Sequence, residues 1–138
     1  MTADRAEHVW QAMRTLMFDV HAGRQEISEA LGMSFIRAKA LLKLQSGPLS
    51  MRELAATLAI DSPYTSVVVD DLERRGLVER SMHPDDRRVK IVSITAAGAE
   101  SAEVAEKIQN RPPAAFASLA PADLATLDRI LTALVTGP

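Results

Sequence analysis

The chain has 138 residues, 47% of them hydrophobic and 25% charged, and its six glycines and seven prolines are too few for a disordered or collagen-like sequence. This length predicts one domain with its own hydrophobic core. Sixteen basic and 18 acidic residues give a formal net charge of −2, so the overall charge does not by itself indicate a nucleic-acid-binding protein.

The composition also limits the chemistry and the cellular setting. Without cysteine the chain has no disulfide, no thiolate metal site and no thiol-based sensor. No apolar run reaches about 18 residues and the N-terminus is polar, which predicts a cytoplasmic protein with no membrane partner. The three histidines, His8, His21 and His83, are too scattered for a metal site. Neither a glycine-rich phosphate loop nor a Ser, His and acid cluster is evident, so we expect no enzyme activity and no cofactor.

The first third of the sequence has the apolar spacing of helices. One stripe predicts a long amphipathic helix that ends at Gly32; it consists of Val9, Met13, Leu16, Met17, Val20, Ile27 and Leu31. A second helix, capped by Ser34 and ended by Gly47-Pro48, has an apolar face of Ile36, Ala40, Leu41 and Leu44.

Two further helices follow in the middle of the chain. Ser50 and Glu53 form a capping-box pattern at the start of a short helix. Asp61 is predicted to cap the next helix, with Pro63 at its first position and Gly76 at its end. Its inward face is predicted to be Thr65, Val68, Val69 and Leu72, and its outward face Tyr64, Ser66, Val67, Asp70, Asp71 and Arg74.

The period changes to two after Gly76. Residues 77–82 and 89–94 are strand candidates, and the polar loop 83–88 between them predicts a hairpin with a charged tip. Thr95 is predicted to cap a helix with Val104 and Ile108 inward, which Pro112-Pro113 ends. A last helix after Pro121 has a stripe of Leu124, Leu127, Ile130, Leu131, Leu134 and Val135.

A short helix, a capped helix and a hairpin in this order predict a winged helix-turn-helix over residues 34–95. The fold class is therefore mostly α with a small β-hairpin. In such a unit the second helix presents its N-terminal end to the major groove of DNA. An arginine at the wing tip suits the narrow minor groove, where the negative potential is concentrated.

The sequence from Leu72 to Arg80, then Asp86-Arg87-Arg88, Val92, Ile94-Thr95 and Gly98, resembles the MarR family of bacterial transcriptional regulators. The likeness covers nearly the whole chain, and residues 119–124 resemble the family's sequence before its final helix. It implies a single MarR-type domain over 1–138, with the DNA-binding lobe at 34–95 and dimerisation helices at 1–31 and 110–138.

The resemblance also implies which residues contact DNA. Asp86 matches the acid that braces the minor-groove arginine, here Arg88, and Arg87 is a phosphate or groove contact. Val67 and Asp71 stand where the family often has basic residues, although Val67 is suited to a thymine methyl. The predicted DNA-binding residues are Ser50, Ser62, Pro63, Tyr64, Ser66, Val67, Arg74, Asp86, Arg87 and Arg88. For Arg74, a role at the helix C-terminus is an equal alternative.

The family commonly has an effector pocket between the dimer helices and the DNA-binding lobe. By position, the residues predicted to line it are Val9, Met13, Met17, Phe35 and Leu42, and the effector class is a small aromatic or anionic compound.

The sequence thus predicts a homodimeric regulator of transcription, a ligand-responsive repressor that binds a pseudo-palindromic operator in double-stranded DNA. The alternative is a winged-helix module for protein interaction with weak or lost DNA binding. The acidic pair Asp70-Asp71 and the neutral Val67 leave this alternative open.

Overall fold

The computed structural model of the chain describes residues 1–20 and 23–138, with the backbone alone for Asp19 and Val20. Two compact units form: Met1–His21 with Pro112–Pro138, and Ala22–Arg111. The second unit contains the predicted lobe 34–95 together with the helices on either side of it. Across the described residues no helix is long and apolar enough to cross a membrane.

The first unit is helical. It contains α1 (Thr2–Arg14), a π-helical segment (Thr15–Val20), a 3₁₀ segment (Ala114–Ser118) and α7 (Pro121–Thr136). The predicted continuous helix from Val9 to Leu31 was wrong in part, because the backbone has π-helical geometry over Thr15–Val20; α-helical geometry is described again over Gly23–Leu31. The side chain of Val20 and all of His21 lie outside the described residues.

Neither α1 nor α7 buries a residue among those described. Exposed large apolar side chains of α1, the π-helical segment and α7 include Val9, Trp10, Met17, Leu124, Ile130, Leu134 and Val135. A shallow apolar groove lies between the 3₁₀ segment and α7, where Phe116 faces Leu124 and Leu131. The helical stripe predicted after Pro121 is confirmed. Its Leu127 and Leu131 are half-buried in this groove, whereas Ile130, Leu134 and Val135 are exposed.

The second unit has five helices and three strands. They are α2 (Gly23–Leu31), α3 (Phe35–Leu44), β1 (Leu49–Ser50), α4 (Met51–Leu58), α5 (Ser62–Arg74), β2 (Val78–Met82), β3 (Lys90–Ile94) and α6 (Ala96–Gln109). The glycines predicted to end helices, Gly32 and Gly76, have φ of +63° and +77°, the left-handed region that suits glycine.

The three strands form one antiparallel sheet in the order β1-β3-β2. The predicted hairpin is confirmed, with Val78 opposite Ile94 and Met82 opposite Lys90. The two-residue strand β1, which pairs Leu49 with Val92, was not predicted because it is too short to have an alternating pattern.

The main core of this unit lies where α3, α4 and α5 meet the sheet. Its fully buried residues include Leu41, Leu44, Leu54, Val68, Val69, Leu72 and Val92. The inward face predicted for residues 65–72 is therefore confirmed. A second cluster joins Ile27 to Ala38, Ala105 and Ile108. Val104, predicted inward, is exposed, because α6 packs through small residues, with Ala102 and Ala105 on its buried face.

Side-chain caps begin three helices of this unit. The hydroxyl of Ser50 accepts from the Glu53 amide at 3.0 Å, and Oδ1 of Asp61 accepts from the Tyr64 amide at 2.7 Å. Thr95 accepts from the Gly98 amide at 3.1 Å. Ser34 stands at the N-cap of α3 as predicted, but its hydroxyl accepts from Nη1 of Arg37 rather than from a helix amide.

Candidate nucleic-acid interface

Helices α4 and α5 are the two helices of the helix-turn-helix, and α5 is the candidate recognition helix. Asp61 fixes its first turn twice: its carboxylate accepts from the Tyr64 amide, and its carbonyl oxygen accepts from the Thr65 hydroxyl at 2.8 Å. The helix begins at Ser62, so Pro63 is its second residue rather than its first. The Asp61 carboxylate caps the N-terminal turn. Any recognition of bases therefore depends on the exposed side chains of α5.

The exposed face of α5 is short and mostly uncharged near its N-terminus. Ser62 and Pro63 are exposed, Ser66 is half-buried, and Tyr64 and Val67 expose 41% and 53% of their surface. The neighbouring Val68 and Val69 are fully buried, so Val67 faces outward. Ser50, in contrast, is buried and occupied as the cap of α4, which removes it from this surface.

Asp71 does not lie on the outward face as predicted. Its side chain is only 17% exposed, and its Oδ2 accepts from Nε of Arg37 and from Nε of Arg75, both at 2.8 Å. Oδ1 accepts from Arg74 at 3.0 Å. The hydrogen bond from Arg75 is the main cause of a lowered Asp71 pKa; partial burial opposes it, and Arg37 adds to it.

The negative charge of Asp71 is largely offset within the folded chain. Three arginines donate to this carboxylate, so it repels phosphate less than the sequence alone suggests. The i+3 and i+4 spacing of Arg74 and Arg75 from Asp71 is visible in the sequence. Arg37 is 34 positions away, and sequence spacing has no signal for that contact.

Arg80 links the recognition helix to the wing. Its Nη2 lies 2.5 Å from Oδ1 of Asp70 and 3.0 Å from Oε1 of Glu73, while its backbone amide donates to Oε2 of Glu73 at 3.1 Å. These bonds raise the pKa of Arg80 and lower that of Glu73. Asp70 is therefore partly neutralised by a residue of β2, a role for Arg80 that the sequence analysis missed.

The wing tip is braced by its own side chains. Asp86 accepts from Nε of Arg88 at 3.1 Å, from Nη2 at 3.2 Å and from the Arg88 amide at 3.0 Å. Because Arg88 donates these bonds, the pKa of Asp86 is lowered. The guanidinium side chain remains 90% exposed, so it is oriented but not enclosed.

Two other predicted DNA-binding arginines, Arg74 and Arg87, differ in their contacts. Arg74 is largely exposed and pairs with Asp71 within the described residues, so its position fits both alternatives left open for it. In the described part of the chain, Arg87 makes no hydrogen bond or ion pair and is exposed. Arg87 and Arg88 thus present two exposed guanidinium groups at the tip of the hairpin.

The residues predicted for an effector pocket fall in both units. Phe35 and Leu42 pack against the second core cluster, and the guanidinium of Arg24 lies 5.0 Å from the centroid of the Phe35 ring. Val9 and Met17 are exposed in the first unit and Met13 is half-buried there. The joint lining of one pocket by these residues stays a prediction.

The architecture and the braced wing define a winged-helix protein. The family model of the MarR family matches residues 41–90, the stretch from the second half of α3 to the start of β3. The chain is 36% identical over 59 residues to the HTH-type transcriptional regulator BilQ of Clostridium symbiosum (strain WAL-14163), a stretch that covers 43% of this chain and 41% of BilQ. The matched part therefore spans less than half of that relative.

Solved structures share the fold at low identity. A mutant MarR from E. coli superposes with a TM-score of 0.77 at 21% identity, covering 91% of this chain and 94% of the other. An S. aureus MepR mutant bound to an oligodeoxyribonucleotide gives a TM-score of 0.62 at 19% identity, covering 95% and 96%. Both likenesses support the predicted fold over nearly the full chain.

Proposed function

We propose that the chain is a DNA-binding regulator of transcription that acts as a homodimer on a pseudo-palindromic duplex. The observation that carries the proposal is the wing tip, where Asp86 holds Arg88 extended into solvent in the same lobe as an exposed recognition helix. A braced, fully exposed arginine at the end of a hairpin is suited to a minor groove. The MepR mutant of similar fold is bound to an oligodeoxyribonucleotide, which supports DNA binding by this fold.

The proposed dimer rests on the first unit. Helices α1 and α7 have large apolar side chains but bury none of their residues within one chain. Helices that expose this many large apolar side chains are suited to an interaction site. A two-fold dimer through these helices places two recognition helices about one turn of DNA apart, roughly 34 Å.

Repression and release by a small aromatic or anionic ligand complete the proposal. Their support is the resemblance to the family, together with Phe35 and its neighbour Arg24 as an aromatic and cationic pair in the second unit. The test is release of bound duplex by an aromatic carboxylate such as benzoate, with the uncharged amide as the control compound.

The alternative, a winged-helix module for protein interaction, has less support from the structure than from the sequence alone. It depended on an acidic helix that repels phosphate, but Asp71 is surrounded by three arginines and Asp70 contacts Arg80. The exposed Val67 is the remaining feature in its favour.

The deciding experiment is selection of duplexes by the full chain from a random pool of about 30 base pairs, long enough for two half-sites one turn apart. Enrichment of inverted repeats is the expected result. No enrichment even at low salt would overturn the DNA-binding proposal and favour the protein-interaction module, since electrostatic affinity is greatest there.

Arg88→Ala then tests the wing on an enriched duplex. We expect affinity to fall about tenfold and the salt dependence to become shallower by about one counterion, with Tm unchanged. Lys107→Ala is the matched control, because Lys107 is also an exposed cation with one carboxylate partner, Glu103, but lies on α6. If the two variants have the same duplex affinity and salt dependence, Arg88 lies in a surface turn that does not contact DNA.

A further inference from the structure

The large exposed side chains in the first two turns of the recognition helix are Tyr64 and Val67. We propose that Tyr64 and Val67 read the C5 methyl groups of thymines in the major groove, so that the operator is specified at these positions by methyls rather than by guanine edges. This inference rests on the DNA-binding function proposed above. It assigns the base chemistry that the same surface selects.

The placement of the pair fits this task. Tyr64 and Val67 are three residues apart, on one side of α5 and within its first two turns. They are separated by about 4.5 Å along the helix axis. Base pairs of the duplex are about 3.4 Å apart. The spacing of the two side chains is therefore close to one base-pair step.

The exposure of Val67 is local and specific. Residues 67–69 are three consecutive valines, and Val68 and Val69 are fully buried while Val67 is 53% exposed. Its isopropyl group faces water in the free protein, so a contact that removes it from water is favourable. A bound thymine methyl supplies such a contact in the major groove.

The charged groups farther along α5 are already engaged. Asp70 and Glu73 bond to Arg80, and Asp71 bonds to Arg37, Arg74 and Arg75. Arg74, with 74% of its side chain exposed, is the most exposed of these groups, followed by Asp70 with 58%. The first two turns have no basic side chain to bond the O6 and N7 atoms of guanine.

The remaining polar groups on this face are hydroxyls. Among the described residues, the side chains of Ser62, Tyr64 and Ser66 form no hydrogen bond within the chain. Hydroxyls both donate and accept, so they contact several bases with little preference. The apolar contact from Val67 and the Tyr64 ring is then the discriminating one, since only thymine has a methyl in the groove.

The test removes the methyl and nothing else. A duplex enriched from the random pool is resynthesised with a single thymine replaced by uracil in each half-site, one symmetric position at a time. At a contacted position we expect affinity to fall about fourfold per half-site, the loss that one buried methyl-sized group represents. Thymines outside the recognised steps should tolerate the change.

Val67→Ala identifies the protein partner of the methyl. This variant should lose the thymine-over-uracil preference at one symmetric position while folding normally, because alanine is favourable in an exposed helix. Tyr64→Ala should lose the preference at the neighbouring position. Val104→Ala is the matched control: it shortens an exposed valine on α6 and should keep both preferences.

The outcomes separate the inference from the function on which it rests. If duplexes are enriched and bind through Arg88 but every uracil substitution is tolerated, the methyl-reading inference is wrong and DNA binding stands. If the preference survives in both Val67→Ala and Tyr64→Ala, the inference is also wrong. If no duplex is enriched, both proposals fail together.

Discussion

Nε of Arg37 in α3 lies 2.8 Å from Oδ2 of Asp71 in α5, a contact between helices whose residues are 34 positions apart. Both side chains are mostly shielded from solvent. The same oxygen accepts from Arg75, and Arg37 also donates to the Ser34 hydroxyl at the start of α3. The recognition helix is therefore fixed to the N-terminus of α3 by a charged contact beside the apolar core.

We expect Asp71→Asn to lower the Tm, because three arginines then share an uncharged acceptor and repel one another. Thermal unfolding at fixed protein concentration measures the effect, since a dimer's stability depends on concentration. Asp85→Asn is the control, because it removes the same charge from the wing loop. The Asp85 backbone amide donates to Nδ1 of His83, and this bond does not depend on the side-chain charge. An equal Tm for the two variants would contradict the structural role of Asp71.

The contribution of Asp71 should depend on pH. Its pKa is lowered from the ordinary value of 3.8, first by the hydrogen bond from Arg75. A lowered folded-state pKa means that the stabilisation is fully present above the unfolded-state value and is lost as pH falls through the folded-state value. The stability gap between wild type and Asp71→Asn should therefore be constant from pH 7 to about 5 and narrow below about 4. Urea unfolding at each pH measures the gap, and a gap that widens in acid would contradict this assignment.

The local patterns of the sequence predicted most of the lobe. The buried set Thr65, Val68, Val69 and Leu72 follows from helical spacing, and the caps at Ser50, Asp61 and Thr95 follow from side-chain chemistry. Each of these depends on neighbours within a few residues. The predicted bracing of Arg88 by Asp86, implied by family resemblance, is also present and equally local.

The predictions that were wrong concern positions whose placement is determined by packing between elements rather than by local sequence. Asp71 was placed outward because helical spacing allowed it, and only the folded chain brings Arg37 to that side. Val104 was placed inward because it is large and apolar, yet the close packing of α6 favours Ala102 and Ala105. The break of the first helix into a π-helical segment has no glycine or proline at Thr15–Val20 to signal it.

Arg80 should act as a positioning residue for the recognition helix. We expect Arg80→Leu to weaken duplex binding, because Asp70 and Glu73 lose their cationic partner and the added negative charge opposes phosphate. Adding Asp70→Asn to this variant should restore part of the affinity. Titration at several salt concentrations measures both effects. A double variant no better than Arg80→Leu would show that the wing link, rather than charge, is responsible.

Gly98 is required by a close approach at the start of α6. The Thr95 amide donates to the Leu77 carbonyl at 3.0 Å and the Thr95 hydroxyl donates to the Gly76 carbonyl at 2.7 Å, which draws the helix onto the turn before β2. A Cβ at Gly98 would overlap the Leu77 carbonyl oxygen and lie 2.8 Å from Cγ1 of Ile94.

Gly98→Ala should therefore destabilise the protein by about 1–3 kcal/mol, the usual cost of overpacking. Helix propensity alone predicts the opposite, a gain of about 1 kcal/mol. Glu100→Ala, an exposed change in the same helix, is the control. Denaturant unfolding decides between the two signs, and a stabilised Gly98→Ala would show that the contact with Leu77 relaxes without cost.

The dimer proposal predicts a strong effect from one charge on α7. Leu134 is 68% exposed in the single chain and lies on the apolar stripe with Leu127 and Leu131. Leu134→Glu should shift the protein to monomer or to aggregate, because an unpaired carboxylate would be buried in the proposed interface.

Thr136→Glu is the control: it adds the same charge on the opposite side of the helix, and this variant should remain dimeric. Sedimentation velocity across a range of protein concentrations distinguishes these states. A Leu134→Glu variant that sediments as a dimer like wild type would remove α7 from the interface and with it the symmetric spacing of the two recognition helices.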